Sequence, residues 1–253
     1  MTGRLVVVGL GPAGASYLTR DAEAALSEAN VLFGYKGYLD RVSVRPHQTR
    51  NESDNHEEIA RATASLAHAA DGANVALVTG GDPGVFAMAS AVCEAIEKGP
   101  EVYRTLDVAI IPGVTAMLAV AARIGAPLGH DFCALSLSDN LKPWSLIERR
   151  LDAAASAGFV IAIYNPLSRA RPWQLGAAFE RLRTHLPATT PVVFGHAIGR
   201  PDERIDVSAL AEVDPGGADM ATMIIVGSAE TRIIRRPDRS PLVYTPRSGE
   251  GAS

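Results

Sequence analysis

The sequence predicts an α/β protein built from two domains, and three observations carry that reading. Seven short apolar runs, at residues 4–9, 74–79, 106–111, 131–137, 158–164, 191–197 and 221–227, alternate with longer stretches of helical spacing. Two of these runs pass directly into Gly/Pro turns, the kind of connection that ends a strand and starts a helix. A break at Pro112-Gly113-Val114-Thr115 then divides the chain into parts of ordinary domain size, residues 1–114 and 115–234. Residues 235–253, rich in Arg, Pro, Ser and Gly, are expected to form a flexible tail.

Taken in order, the first run, Arg4 to Gly9, enters Gly9-Leu10-Gly11-Pro12-Ala13-Gly14. Its glycines satisfy G-x-G-x-x-G, yet Pro12 has no N–H where a pyrophosphate cradle wants donors. No acidic residue ends a clear second strand at the usual distance, because Val31-Leu32-Phe33 passes into Gly34-Tyr35-Lys36-Gly37-Tyr38. A dinucleotide-binding oxidoreductase or sensor is therefore the alternative reading, not the first. Arg50-Asn51-Glu52-Ser53-Asp54-Asn55-His56 is too polar for a core element and is expected as a rim before a helix over Glu57–Ala70. The run at 74–79 enters Gly80-Gly81-Asp82-Pro83-Gly84 and leaves into a helix over Val85–Glu97. Its glycines open conformations closed to residues with a Cβ and let a ligand approach the main chain, while Asp82 and Pro83 fix the turn. In α/β folds the carboxyl ends of strands are where ligands bind. Three further helices are expected over Thr115–Ile124, Leu146–Ala157 and Trp173–His185.

Composition narrows the classes of function. The chain has 253 residues, 47% of them hydrophobic and 21% charged, which describes an ordinary globular protein. Its longest nearly apolar stretch, Val108 to Ala122, is broken by Pro112 and Gly113 and falls short of the roughly 20 residues that span a bilayer. Met1-Thr2-Gly3-Arg4 lacks the features of a secretory signal, so a cytoplasmic protein with no membrane segment is expected. Cys93 and Cys133 are isolated and the six histidines show no ligand spacing, so no metal is expected. A net charge of −4 gives no electrostatic footprint for nucleic acid.

Seven motifs in order resemble the tetrapyrrole methylases. They are Gly9-Leu10-Gly11-Pro12, Gly34-Tyr35-Lys36-Gly37-Tyr38, Gly80 through Phe86, Ile111-Pro112-Gly113-Val114-Thr115-Ala116, Leu135 through Trp144, Tyr164 through Leu175, and Thr222 through Gly227. The Ser138-Asp139-x-Leu-x-Pro-Trp loop, followed by Tyr164-Asn165-Pro166 and Arg171-Pro172-Trp173, is most similar to the ring-contracting branch of that family. The likeness covers roughly residues 4–228; it departs from the usual Gly-Pro-Gly at Ala13, and the polar segment Arg50–His56 is a second weak point. It implies two α/β domains with a cofactor cleft between them, a homodimer, and an S-adenosylmethionine-dependent C-methyltransferase of corrin biosynthesis. The implied reaction methylates precorrin-3B at ring D carbon 17 with contraction to precorrin-4, leaving S-adenosylhomocysteine. Methylases of the same architecture acting on another tetrapyrrole carbon, on RNA ribose or on a modified protein histidine share the cofactor turns and remain open at this point.

By the same resemblance, Gly80, Gly81, Asp82, Val85 and Phe86 line the amino-acid and ribose side of the cofactor, and Thr115 and Ala116 contribute at the next helix. Tyr164, Asn165, His196, Ala197, Thr222 and Met223 are expected around the adenine. A precorrin is a flat macrocycle edged by carboxylates, so Arg50, Arg169 and Arg171 are candidates to grip it, with Pro12 and Tyr35 at its edge. Arg149 and Arg150, on a helix, are weaker candidates. Ring contraction adds removal of a proton from a tertiary alcohol. Asp139 is the candidate base, with Ser138 and Lys142 orienting substrate. The plainer reading of Ser-Asp-Asn ahead of a helix is a turn and N-cap, and that of Tyr164 and Met223 is core packing.

Overall fold

The computed structural model describes residues 3–54, 57–168, 170 and 172–248, and the chain divides into two compact units, Met1–Thr115 and Ala116–Ser253.

In the first unit the elements run β1 (Arg4–Gly9), α1 (Arg20–Glu28), β2 (Val31–Tyr35), α2 (Lys36–Leu39), β3 (Thr49–Ser53), α3 (Glu58–Ala70), β4 (Asn74–Thr79), α4 (Met88–Lys98) and β5 (Asp107–Ile111). The five strands pair in the order β3-β2-β4-β1-β5, every neighbour parallel. Parallel sheets are covered on both faces, and the apolar runs of β1, β2 and β4 serve both. Leu5, Val7, Phe33, Val75 and Leu77 meet Leu66, Met88 and Val92 on one side. Val6, Val8, Leu32, Ala76 and Val78 meet Ala22, Leu26 and Leu39 on the other. Alternation along each strand therefore feeds two cores, at about 1.5–3 kcal/mol for each large apolar side chain fully buried. The polar segment expected as a rim is corrected over residues 50–53: it is strand β3 at the sheet edge, where pairing on one side only tolerates charged residues. Asn55 and His56 lie outside the described residues.

The second unit contains α5 (Ala116–Ile124), β6 (Gly125–Ala126), β7 (Phe132–Ser136), α6 (Trp144–Ser156), β8 (Val160–Tyr164), α7 (Gln174–Leu182), β9 (Pro191–His196), β10 (Arg204–Ala209), β11 (Thr222–Val226), β12 (Arg232–Arg236) and β13 (Arg239–Tyr244). Its main sheet has the order β10-β9-β11-β8-β7. β7 and β8 are parallel, while β11 runs antiparallel to both β8 and β9. Ile147, Leu151, Leu175, Phe179 and Leu182 of α6 and α7 bury one face of it with Ile161, Ile163, Phe194 and Ile224. On β9, a side chain at Gly195 would stand 2.3 Å from Val120 of α5, so the glycine sets how closely that helix lies on the sheet.

Residues 235–244 depart from the expected flexible tail. β12 and β13 form an antiparallel hairpin, and Val243 and Tyr244 pair in parallel with Gly125 and Ala126. Thr245 closes the arrangement, bonding Thr231 at 2.9 Å and the Pro127 carbonyl at 2.7 Å. The Arg-rich composition reflects a two-stranded ribbon with one exposed face, which charge on a strand satisfies.

Candidate functional site

In the first unit, β4, β1 and β5 are adjacent and parallel, so the turns that follow them lie side by side at the carboxyl edge of the sheet. They are locked backbone to backbone. Gly11 and Gly81 exchange both amide hydrogen bonds, at 3.1 and 2.9 Å. A Cβ on Gly9 would sit 2.7 Å from the Gly113 nitrogen and 2.8 Å from the Gly81 carbonyl oxygen, and one on Gly113 would sit 2.2 Å from that same oxygen. Asp82 bridges the turns: one carboxylate oxygen accepts from the Gly84 amide at 2.8 Å, the other from the Gly113 amide at 3.0 Å. Gly81 has φ +65°, and Phe86, half exposed, has φ 52°. Gly80 leaves room for the Tyr38 ring, which a Cβ would meet at 2.7 Å. Tyr38 stands edge-on to Tyr35 at 5.5 Å, so the Gly-Tyr-x-Gly-Tyr segment supports the glycine turn. Arg41, which the sequence did not single out, donates to the carbonyls of Leu10, Gly11 and Ala13 and holds the first turn from behind. Ala13 is buried and the positive φ belongs to Gly11, so the methyl is accommodated without strain. Pro12 is half-buried in this turn and Thr115 buried at the end of the unit.

In the second unit β7, β8 and β9 end at the edge where β11 begins. Tyr164 ends β8, and its hydroxyl accepts from the Met117 amide at 3.3 Å, in the first turn of α5 directly after Ala116. Asn165 follows with φ 48° and donates to Ser136 Oγ at 2.9 Å. Ala197, buried, follows β9 with the same φ of 48°. Among the described residues only Asp238 joins Phe86, Asn165 and Ala197 as a non-glycine residue at positive φ. Each such residue costs about 1–3 kcal/mol, and strain of this kind gathers where function needs a particular backbone. Thr222 and Met223 are buried. Thr222 Oγ1 donates to Asp219 at 2.8 Å, and His196 contacts Asp219 at 3.1 Å and Asp202 at 3.5 Å. Burial pushes the Asp219 carboxyl up, but bonds from Thr222 and the Ala221 amide, with His196 alongside, outweigh it and leave the group below the ordinary carboxylate value.

The loop after β7 carries the proposed acid–base residues. Ser136 Oγ accepts from the Ser138 amide at 3.3 Å as well as from Asn165, which joins the exits of β7 and β8. Lys142 Nζ donates to the Ser138 carbonyl at 2.9 Å, closing the loop on itself. Asp139 Oδ2 accepts from Gln174 Nε2 at 3.2 Å. The N-cap reading of Asp139 does not hold, because α6 begins at Trp144 with Pro143 before it. Trp144 and Trp173 meet edge to face at 4.9 Å beside this loop.

Arg50, the candidate substrate grip on β3, is engaged within its own unit. Its guanidinium is held by Asp40 and, at 2.7 Å, by Glu52, with Lys36 sharing both carboxylates. The hydrogen bond from Arg50 holds the Asp40 carboxyl below its ordinary value, and Asp40 in turn raises Arg50. Arg169 and Arg171 lie outside the described residues. Among the described residues no group of three His, Cys, Asp or Glu side chains is placed to hold a metal ion, and no helix is long and apolar enough to cross a membrane.

In the first unit the glycine main chain at Gly81 is open to close approach by a ligand, and the half-exposed Phe86 ring offers an apolar face beside it. In the second unit the half-buried Tyr164 offers an aromatic face of its own. The sequence profile of the Tetrapyrrole (Corrin/Porphyrin) Methylases matches residues 4–214, and the chain belongs to that family. Over its whole length it is 62% identical to the Precorrin-3B C(17)-methyltransferase of a Sinorhizobium species, covering 100% of both chains. The crystal structure of the methyltransferase CobJ superposes with a TM-score of 0.92 at 45% identity, covering 97% of this chain and 100% of that one. A uroporphyrin-III C-methyl transferase from Thermus thermophilus, complexed with S-adenyl homocysteine, gives a TM-score of 0.66 at 25% identity over 90% of this chain and 98% of its own.

Proposed function

We propose that the protein is an S-adenosylmethionine-dependent C-methyltransferase of cobalamin biosynthesis that methylates precorrin-3B at ring D carbon 17 and contracts the macrocycle to precorrin-4. The observation that carries the reading is the full-length identity of 62% to a relative whose name gives methylation of precorrin-3B at C(17); contraction follows from the motif resemblance. The hydrogen-bonded loop at Ser138-Asp139, where the sequence motif of the ring-contracting branch falls, agrees with it.

The bound cofactor would supply an electrophilic methyl group on a sulfonium, whose sulfur leaves as the neutral thioether of S-adenosylhomocysteine. Gly80, Gly81, Val85, Phe86 and Thr115 of the first unit would hold it, with Ala116, Tyr164, Asn165, His196, Ala197, Thr222 and Met223 of the second. Asp82 shapes this set by fixing two turns with its carboxylate oxygens. Asp139 takes a proton from the substrate hydroxyl during contraction. Ser138 and Lys142 hold the loop in shape, and Arg169 and Arg171 receive peripheral carboxylates. The working form is a homodimer, which light scattering measures directly.

Incubation with S-adenosylmethionine and precorrin-3B, following methyl incorporation and macrocycle absorbance separately, tests the reading. The cobalt-bearing macrocycle in a parallel arm decides which substrate is used. Titration with NADPH covers the oxidoreductase alternative, and binding of NADPH without S-adenosylmethionine would overturn the methylase reading. Asp139→Asn keeps shape and loses basicity, so it should bind cofactor normally and contract the ring about 10²–10⁴-fold more slowly. Full contraction activity in that variant would remove the base role.

A further inference from the structure

We propose that Gln174 is the positioning residue for Asp139, holding its carboxylate in the orientation from which it accepts a proton from the tetrapyrrole. The inference rests on the proposed ring-contracting function and goes beyond it by naming the group through which the base is held.

Gln174 opens α7 and is 2% exposed, on the same helix as Leu175, Ala178, Phe179 and Leu182, all fully buried. An amide at such a position is costly unless both ends are bonded. Only one end is. Nε2 donates to Asp139 Oδ2 at 3.2 Å, while Oε1 is buried with no hydrogen-bond partner among the described residues. Turning the amide over would set Oε1 against a carboxylate oxygen, acceptor to acceptor, so the chemistry fixes this orientation. Leucine has nearly the same volume and would fill the site without stranding a polar atom. Packing therefore gives no reason for glutamine, and the hydrogen bond to Asp139 does.

The remaining contacts agree with a holding role. Gln174 is the hydrogen-bond partner of the Asp139 side chain among the described residues, and it reaches across 35 positions of sequence to make the bond. The rest of the loop is fixed by the Ser138 amide and Asn165 on Ser136 Oγ and by Lys142 on the Ser138 carbonyl. With Oδ2 engaged, Oδ1 is left to receive the proton. The contact of Trp144 with Trp173, the residue directly before Gln174, stiffens the base of this pair.

Gln174→Leu is the test. Single-turnover contraction of precorrin-3B should slow about 10–100-fold, the loss expected when a reacting group is misplaced by an ångström or so, with KM unchanged. Thermal stability should stay level or rise, because the stranded acceptor is gone. In an Asp139→Asn background the same change should have no further effect, since Gln174 acts through the carboxylate. A crystal structure of Gln174→Leu should show the Asp139 side chain leaving its single orientation. Wild-type contraction in Gln174→Leu, or an equal loss in both backgrounds, would overturn the proposal. So would an unmoved Asp139, whatever the substrate turns out to be. A wild-type enzyme that leaves precorrin-3B unconverted would instead overturn the functional reading, and the Asp139 orientation would still decide whether Gln174 holds it.

Discussion

Gly113→Ala probes whether the three turns after β1, β4 and β5 act as one body. The added Cβ would lie 2.2 Å from the Gly81 carbonyl oxygen and 2.9 Å from the Gly9 carbonyl carbon. Both are main-chain atoms, so no side chain can swing aside; the turns must separate by an ångström or more to reach ordinary contact. That separation breaks the Gly11–Gly81 pair, now at 3.1 and 2.9 Å, and stretches the bond from the Gly113 amide to Asp82, now at 3.0 Å. Two neutral bonds at about 0.5–1.5 kcal/mol each and one to a charged group at about 1.5–3 kcal/mol set the scale. Allowing for relaxation, the expected loss is about 3–5 kcal/mol, or about 10–20 °C in the melting temperature of the first unit. Calorimetric unfolding measures the stability, and titration with S-adenosylmethionine measures the site. Gly14→Ala is the control: its Cβ meets nothing within 4 Å, and it should leave both unchanged. If Gly113→Ala melts within a degree or two of wild type and binds cofactor with wild-type affinity, the turns are independent and the reasoning is wrong.

Three further outcomes are expected. Asp82→Ala removes the acceptor of both the Gly84 and Gly113 amides, so it should weaken S-adenosylmethionine binding and lower the melting temperature together; loss of binding alone would mean that the carboxylate meets ligand, not turn. Tyr164→Phe strands the Met117 amide at the start of α5 and should cost about 0.5–1.5 kcal/mol by denaturant unfolding, with an unchanged midpoint counting against the contact. The bond from Arg123 holds Glu203 below the ordinary glutamate value of 4.5, against burial and with help from the Gly199 amide. Because its folded value is depressed, its stabilisation is complete above that ordinary value and is lost as the pH falls through the lower folded one. Glu203→Gln should therefore flatten the acid side of a plot of melting temperature against pH, and an unaltered acid limb would refute the assignment.

The central strands were legible because burial on both faces writes itself as an unbroken apolar run: β1 and β4 begin and end where Arg4-to-Gly9 and Asn74-to-Thr79 suggest. What escaped were strands carrying little apolar signal. β3 is Thr-Arg-Asn-Glu-Ser at an edge, β10 alternates at the other sheet's edge, and β12 and β13 form an exposed ribbon. The turn glycines were legible as a ligand-facing pattern, but their interlock was not, because Gly9, Gly81 and Gly113 meet only through strand order. Arg41 and Gln174 were illegible for the same reason. One reaches back 30 positions to the Gly11 carbonyl and the other 35 to Asp139, and nothing in the neighbourhood of either residue announces its partner. Arg50 shows the converse: its ion-pair partners, Asp40 and Glu52, lie within ten positions of it in sequence.

The pairing of β13 with β6 bears on how the chain is made. Val243 and Tyr244 dock beside Gly125 and Ala126, and Thr245 bonds the Pro127 carbonyl 118 positions upstream. During synthesis the first unit has all its strands once residue 115 clears the ribosome, so it can fold while the rest is still being translated. The second unit is closed by its last-made strand. Its earliest segment, directly after α5, must wait through more than a hundred residues of elongation with an unpaired edge, and contacts of such high sequence separation form slowly. The second unit is therefore expected to complete its fold more slowly than the first.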